Sequence, residues 1–388
     1  MSDDAAKRAE RGRGREGAAA PSAASSGRVK PVVAISMGDP MGIGPEVIVK
    51  ALADAEVRRW ARFHVYGFAG ALHAAAERAG IEPFWWRVRH DSPVAETGAL
   101  QDVLLLDYDH EAGWNAGVEA RRNERGPTAA GGAASFQFVD DAIAAALSPV
   151  HPALKPDAIV TAPISKEAWA LAGRKEPGHT ELFAARFHAR RVRMMFVSPR
   201  LRVILATAHV PLMEVRAVLS IGRVFDTIEL GHETCRRLGV ARPRIAVCGL
   251  NPHAGENGIL GDDEGRVIVP AIEAAREAGM EVEGPLPGDT VFRAALGPLP
   301  PAPDRRKFDL VVAMYHDQGL IAVKTIDFER AVNVTAGLPI VRTSPDHGTA
   351  FDIAGKNSAD PGSMRSAIEL AVRVAGSVRS EASSGTRS

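Results

Sequence analysis

At 388 residues the chain is too long for one simple core, and two domains are the expectation. Its 46% hydrophobic content with 37 Gly and 26 Pro fits a compact, turn-rich α/β enzyme, and a formal net charge of zero excludes a strong overall field for nucleic acid or an anionic membrane. No apolar stretch reaches the roughly 20 residues that span a bilayer, and two cysteines, Cys235 and Cys248, cannot build a disulfide framework, so a reducing, cytoplasmic setting is expected.

Residues 1–29 (including AERGRGREGAAAPSAASSGR) are too polar to bury anything and read as a disordered tail, with no apolar segment of a secretory signal. Order begins at PVVAISMGDPMGIGPEVIVKAL. The β-branched run Val32 to Ser36 predicts a strand, then a glycine-rich turn, then a helix from about Pro45–Glu46, where a proline and a first-turn glutamate suit a helix N-terminus. RFHVYGF and DVLLLDY read as strands separated by Ala-rich helical stretches such as GALHAAAERAG. SFQFVDDAIAAAL carries Phe136, Val139, Ile143, Ala146 and Leu147 at helical spacing, so one face is buried. DAIVTAP, LRVILATA, RIAVCGL and FDLVVAMY then alternate with helical patterns, which predicts an α/β fold on a largely parallel sheet. Cys248, inside IAVCGL, reads as a small core residue. A last helix is expected from about Met364 to Ala375, with a second frayed tail over 377–388.

The candidate chemistry lies where these runs break. His209, His253 and His316 each follow an apolar run, where ligands of open α/β folds collect, and three neutral imidazoles there would hold a divalent metal. Any one of them alone reads as structural. The loop Gly38 to Glu46 matches neither a dinucleotide fingerprint nor a P-loop; its glycines serve either an anion or close packing. His179 and Thr180 in EPGHTELF stand before a helix-like stretch, where they bind an anion or where Thr180 simply caps the helix, the reading that local sequence favours. Lys324, Asn333 and Arg342 suit a phosphate dianion, with structural salt bridges as the competing explanation. Asp317, Asp289 and Lys324 are candidates for proton transfer, while Asp346 and His347 are read as fixing a loop. There is no nucleophile elbow, H-E-x-x-H helix or kinase signature. Two classes remain from the residues alone: a metal-assisted dehydrogenase of a phosphorylated hydroxy acid, and a metal-dependent hydrolase of a phosphorylated compound. A metal-binding module without activity is third, since it leaves Lys324, Asn333 and Arg342 unexplained.

In order along the chain, GDPMGIGPE, PGHTE, HVPL, GLNPHAGE, MYHDQG, the Lys324–Asn333 stretch and GLPIVRTSPDHGTA resemble the 4-hydroxythreonine-4-phosphate dehydrogenases of pyridoxal phosphate biosynthesis, from about Val32 to Gly376. Met41 and Pro177 are small departures from that pattern. The resemblance implies an isocitrate/isopropylmalate-dehydrogenase-like fold of two α/β domains, 30–165 plus 343–376 and 166–342, with the active site in the cleft between them. It implies His209, His253 and His316 as metal ligands, His179, Thr180, Lys324, Asn333 and Arg342 as substrate contacts, and a homodimer whose active site is shared between subunits. It further implies one divalent ion (Zn, Co, Mn or Mg), NAD or NADP lying along 333–350, and oxidation of 4-phosphooxy-L-threonine to a 3-oxo acid that loses carbon dioxide. Relatives acting on 4-phosphorylated threonate or erythronate give the alternative substrate.

Overall fold

The computed structural model describes residues 30–111, 126–147, 152–296 and 306–376, and the backbone alone over 377–385. The tail expected over 1–29 lies outside these residues. The strands are β1 (Val32–Ser36), β2 (Arg62–Gly67), β3 (Trp86–Arg89), β4 (Val103–Asp107), β5 (Ala158–Thr161) and β6 (Arg193–Val197), then β7 (Arg202–Leu205), β8 (Arg244–Cys248), β9 (Glu281–Leu286), β10 (Leu310–Ala313), β11 (Val332–Ala336) and β12 (Val341–Pro345). They form one twelve-stranded sheet in the order β3-β4-β2-β1-β5-β12-β11-β6-β7-β10-β8-β9.

The α/β expectation holds, but the sheet is mixed. One parallel block runs from β3 to β12 and another from β7 to β9. Between them β11 pairs antiparallel with both β12 and β6, and β6 antiparallel with β7. The inner strands of the blocks are apolar runs covered on both faces, and every residue of β1 and β4 is buried, whereas the edge strands β3 and β9 are largely exposed or half-buried. The sheet crosses the expected division between 166–342 and its flanks without a break, and the boundary at 342/343 falls inside β12.

Helix α1 (Gly44–Leu52) starts at the expected proline and buries most of its length, and α2 (Ala129–Leu147) buries Phe136, Val139 and Ile143 of the face read from the sequence, while Ala146 is half-buried and Leu147 exposed at its end. The last helix, Gly362–Gly385, packs on β12 and β5 and extends past Ala375, so helical backbone replaces the expected fray as far as Gly385. Among the described residues no helix is long and apolar enough to cross a membrane.

The loop between β1 and α1 settles its two readings. Its amides are spent internally: Asp39 N–H donates to Pro163 O, Met41 N–H to Asp39 Oδ1, and Ile43 N–H to Thr349 O. Gly38 has φ +74° and lies against the Pro163 carbonyl, and a Cβ on Gly42 would sit 2.8 Å from Thr349 O. Glycine serves close packing here, and the loop is not among the residues that line the cleft described below.

Candidate active site

A cleft of about 520 Å³ opens along the antiparallel seam. It takes residues from the end of β5 and the segment after it, where helices α3 (Lys166–Leu171) and α4 (His179–Arg186) begin, from the seam strands, and from α5 (His316–Asp327). Its cationic side chains are Lys166, Arg193, Arg223, Lys324 and Arg342, against two carboxylates, Glu181 and Asp346.

Arg342 is the most unusual of these. It stands on β12, 3% exposed, with Nε and Nη2 donating to Thr161 Oγ1 (3.1 and 2.6 Å) and Nη1 to Thr335 Oγ1 at 3.3 Å. Its partners are neutral hydroxyls, and among the described residues no carboxylate pairs with it. Burial pulls its pKa down to about 10, with Glu181 acting weakly the other way. A buried charge without a counter-charge costs on the order of several kcal/mol, so the salt-bridge reading finds no carboxylate for Arg342 among the described residues. Lys324 is different: half exposed on α5, its Nζ lies 3.4 Å from Asp346 Oδ2. Asn333 reaches the cleft from β11, where it pairs in register with Ser344 and Phe196.

His179 and Thr180 are the first two residues of α4. The residue capping α4 is Gly178, which has no side chain to offer, so the capping reading for Thr180 is overturned. The first-turn amides therefore have no side-chain cap from Gly178, and they stand at the positive end of the helix dipole. Burial, with Arg342 and Lys166 nearby, holds the His179 imidazole well below its usual range, so it is neutral, and its Nε2 is sealed from solvent with no partner.

His209, on the turn after β7, and His316, first residue of α5, face each other with ring centroids 5.8 Å apart, and both line the cleft. Burial, Lys166 and His316 lower the pKa of His209, which keeps a lone pair available. Asp317 Oδ1 lies 2.7 Å from His316 Nδ1, the kind of contact by which a carboxylate orients an imidazole toward a metal. These residues fit a metal. His253 is not with them. Its side chain is 67% exposed, outside the cleft lining, on a loop whose residues 253–257 all have positive φ. Glu264 holds that loop by accepting from the Leu250 and Asn251 amides and from Asn251 Nδ2. Of the three proton-transfer candidates, Lys324 lines the cleft, Asp317 is exposed beside His316, and Asp289 is exposed and outside the lining.

One residue given another role from the sequence, and three not singled out there, complete the site. Asp346, read as a loop fixer, is a cleft carboxylate whose pKa burial raises against the pull of Lys324. Thr161 and Thr335 orient Arg342, and Lys166 stands between the His179 and His209 sides. A hydroxyl beside a buried guanidinium has no sequence signature, although Thr161 at the end of the run DAIVT marked a strand end.

A family model described as pyridoxal phosphate biosynthetic protein PdxA matches residues 71–371, well over half of the chain. The chain belongs to the PdxA family. It is 44% identical over 352 residues to the D-threonate 4-phosphate dehydrogenase of Cupriavidus necator, covering 88% of this chain and 98% of that protein. It is 43% identical over 350 residues to the 4-hydroxythreonine-4-phosphate dehydrogenase of Desulforapulum autotrophicum, covering 88% and 95%. A crystal structure of 4-hydroxythreonine-4-phosphate dehydrogenase from Klebsiella pneumoniae superposes with a TM-score of 0.75 at 38% identity, over 90% of this chain and 99% of that one. The PdxA match takes in every residue that lines the cleft.

Proposed function

We propose that this PdxA-family chain is a metal- and nicotinamide-dependent dehydrogenase that oxidises 4-phosphooxy-L-threonine to a 3-oxo acid, which decarboxylates to 3-amino-2-oxopropyl phosphate. The observation that carries this reading is the buried, unpaired guanidinium of Arg342 in a cationic cleft, which calls for a dianion. Arg342 and Lys324 bind the phosphate, with Asn333 and the N-terminus of α4 completing the cradle. Neutral His179 offers a hydrogen bond to the substrate, and Thr180 a hydroxyl. Phosphate held this way supplies remote binding energy that aligns the reacting hydroxyl.

His209 and His316 hold the divalent ion from this chain, and His253 comes from a second one. Support for that second chain is the exposed apolar patch beside His253: Met213 is 91% exposed, Ile259 79% and Leu212 63%. Arg216 ties the two segments together through Asp262 and Asp263, so the patch is one surface. When bound, the ion supplies Lewis acidity toward the hydroxyl and toward the charge left by decarboxylation, and NAD or NADP accepts the hydride. The segment 333–350, which borders the cleft at both ends, is where the nicotinamide lies. Asp317, Asp289 and Lys324 are the candidates for moving the proton; Lys324 lines the cleft, but while it binds phosphate as a cation it has no lone pair to accept with. The two sheet blocks act as the two domains, with the seam as the cleft floor.

A second reading keeps the site and changes the substrate to 4-phospho-D-threonate, favoured by the equally high identity to the Cupriavidus enzyme. Metal-loaded protein is given each compound with NAD or NADP, and absorbance of the reduced nicotinamide is followed with and without chelator. Chelator-sensitive reduction with the amino acid supports the first reading; reduction with threonate alone moves the enzyme to the second. Phosphate release without nicotinamide would point to a hydrolase. Mixing His253→Ala and Arg342→Met chains tests the shared site: each alone is inactive, and a 1:1 mixture of exchanging dimers regains about a quarter of wild-type activity. No recovery rejects the shared site.

A further inference from the structure

Far along the chain from the cleft residues, the end of β3 and the end of β4 bring together two histidines and two carboxylates. His90 and Asp91 follow β3, and His110 and Glu111 follow β4; the two strands are parallel neighbours with Arg89 in register with Asp107. His90, Asp91 and His110 each offer a ligand atom within 4.8 Å of the others, and among the described residues they are the group of three so placed. Glu111 adds a fourth donor: its Oε1 lies 3.0 Å from His90 Nε2 and 3.6 Å from His110 Nε2. Asp91 Oδ1 is 3.6 Å from His110 Nε2.

These spacings match a tetrahedral ion. With zinc bonds of roughly 2.0–2.1 Å to nitrogen and oxygen, the donor–donor edge of a tetrahedron is about 3.3 Å, and the three measured edges fall on both sides of it. The donors are also held before any ion arrives. The His90 ring stacks on Tyr108 at 3.8 Å and 4°, and the Tyr108 hydroxyl is anchored by donating to Asp141 Oδ2 at 2.6 Å. Backbone bonds from His90 N–H to Asp107 O and from Glu111 N–H to Tyr108 O fix both strand ends. Arg89 also holds Asp91, through Nε to Oδ1 (3.1 Å) and Nη2 to Oδ2 (2.8 Å), which orients the carboxylate and leaves a lone pair on Oδ1.

We propose that His90, Asp91, His110 and Glu111 form a second metal site, structural in kind, for a divalent late first-row ion such as zinc. Two imidazoles with two carboxylates favour such ions over magnesium or calcium, and four protein donors leave no open position for chemistry. On binding, the hydrogen bond between His90 Nε2 and Glu111 gives way, the His90 ring carries its proton on Nδ1, and the β3 edge is clamped to β4. The cluster is independent of the cleft residues, so it stands or falls apart from the proposed reaction.

The test uses untagged full-length protein stripped with chelator and titrated with Co(II), read by visible absorption and bound stoichiometry. The His90→Ala/His110→Ala variant is expected to bind one equivalent fewer than wild type and to lose the tetrahedral cobalt bands of this site. A His209→Ala/His316→Ala variant is expected to keep them, and zinc is expected to raise its Tm. His110→Gln/Glu111→Gln leaves the stacked His90 in place and serves if the first variant fails to fold. Equal stoichiometry and an unchanged cobalt spectrum in wild type and either folded edge variant would overturn the proposal.

Discussion

Glu46 and Arg342 are both ionisable side chains sealed against the same sheet, one on α1 behind the first parallel block and the other on the seam. Glu46 Oε1 accepts from Lys50 Nζ at 2.8 Å and from the Ala359 amide at 2.8 Å, and Lys50 goes on to the carbonyls of Asn357 and Ala359. Its charge is matched inside the chain, and what it achieves is to tie α1 to the segment before the last helix. Arg342 donates to hydroxyls and lies over the Phe183 ring at 5.8 Å, with no carboxylate paired to it among the described residues. The lesson is that burial does not by itself mark function. A buried charge whose partner is present holds structure, and one whose partner is missing marks where a ligand of opposite sign belongs.

Four changes test that contrast. His316→Ala should have the largest effect, a loss of turnover of 10³-fold or more by order of magnitude, with an unchanged circular dichroism spectrum; activity retained after that change and after metal stripping would sink the metal mechanism. Arg342→Met should lower kcat/KM by about 10³-fold, roughly 4 kcal/mol, without lowering Tm, because it removes a charge that nothing in the chain neutralises. A fall in Tm as large as that of a core deletion would mean that Arg342 is structural after all. Asp39 offers a pH-dependent case. Burial lifts its pKa to about 6, opposed by the Met41 amide, so between pH 4 and 6 the folded state binds more protons than the unfolded chain. Its contribution therefore declines as pH rises through that window and stays low above it. The stability difference between Asp39→Asn and wild type should shift in favour of the variant by about 2 kcal/mol from pH 4 to pH 7, measured by urea melts at each pH; a flat difference would show that Asp39 titrates in the folded state as it does in the unfolded chain. Lys50→Met should give the smallest change, about 2 kcal/mol of stability lost as Glu46 is left unmatched, with kcat/KM within about twofold of wild type. Lost activity in that variant would blur the line between the two regions.

The sequence was most readable where side chains face only the core. Val32–Ser36 is found as read, and RFHVYGF, DVLLLDY, LRVILATA and RIAVCGL each contain a strand of a parallel block. What it hid was the seam. β6, β11 and β12 include Arg193, Asn333, Thr335, Arg342 and Ser344, polar because they face the cleft or serve those that do, and that polarity breaks the apolar pattern by which strands are recognised. Arg342 and Asn333 were legible as chemistry while the strands bearing them were not. The histidines show the converse limit. His209 and His316 could be placed by the runs before them, whereas the direction of His253 depends on a left-handed turn around Glu264 that no periodicity announces.

The place of β12 in the sheet also sets a timetable. Val341 pairs with Ala158, so the partner that covers one side of β5 is made 183 residues after it (341 − 158). At ribosomal speeds of 5–20 residues per second that interval is about 10–40 s. Throughout it β5 presents an open edge beside β1, the kind of edge on which chains misassemble. The block from β7 to β10 is complete before β12 emerges, so it can fold first and deliver β11 and β12 as a preformed hairpin. Synthesis halted after β10 but before residue 341 leaves a sheet with a gap in its middle, and such fragments should be bound by chaperones rather than accumulate as soluble half-proteins.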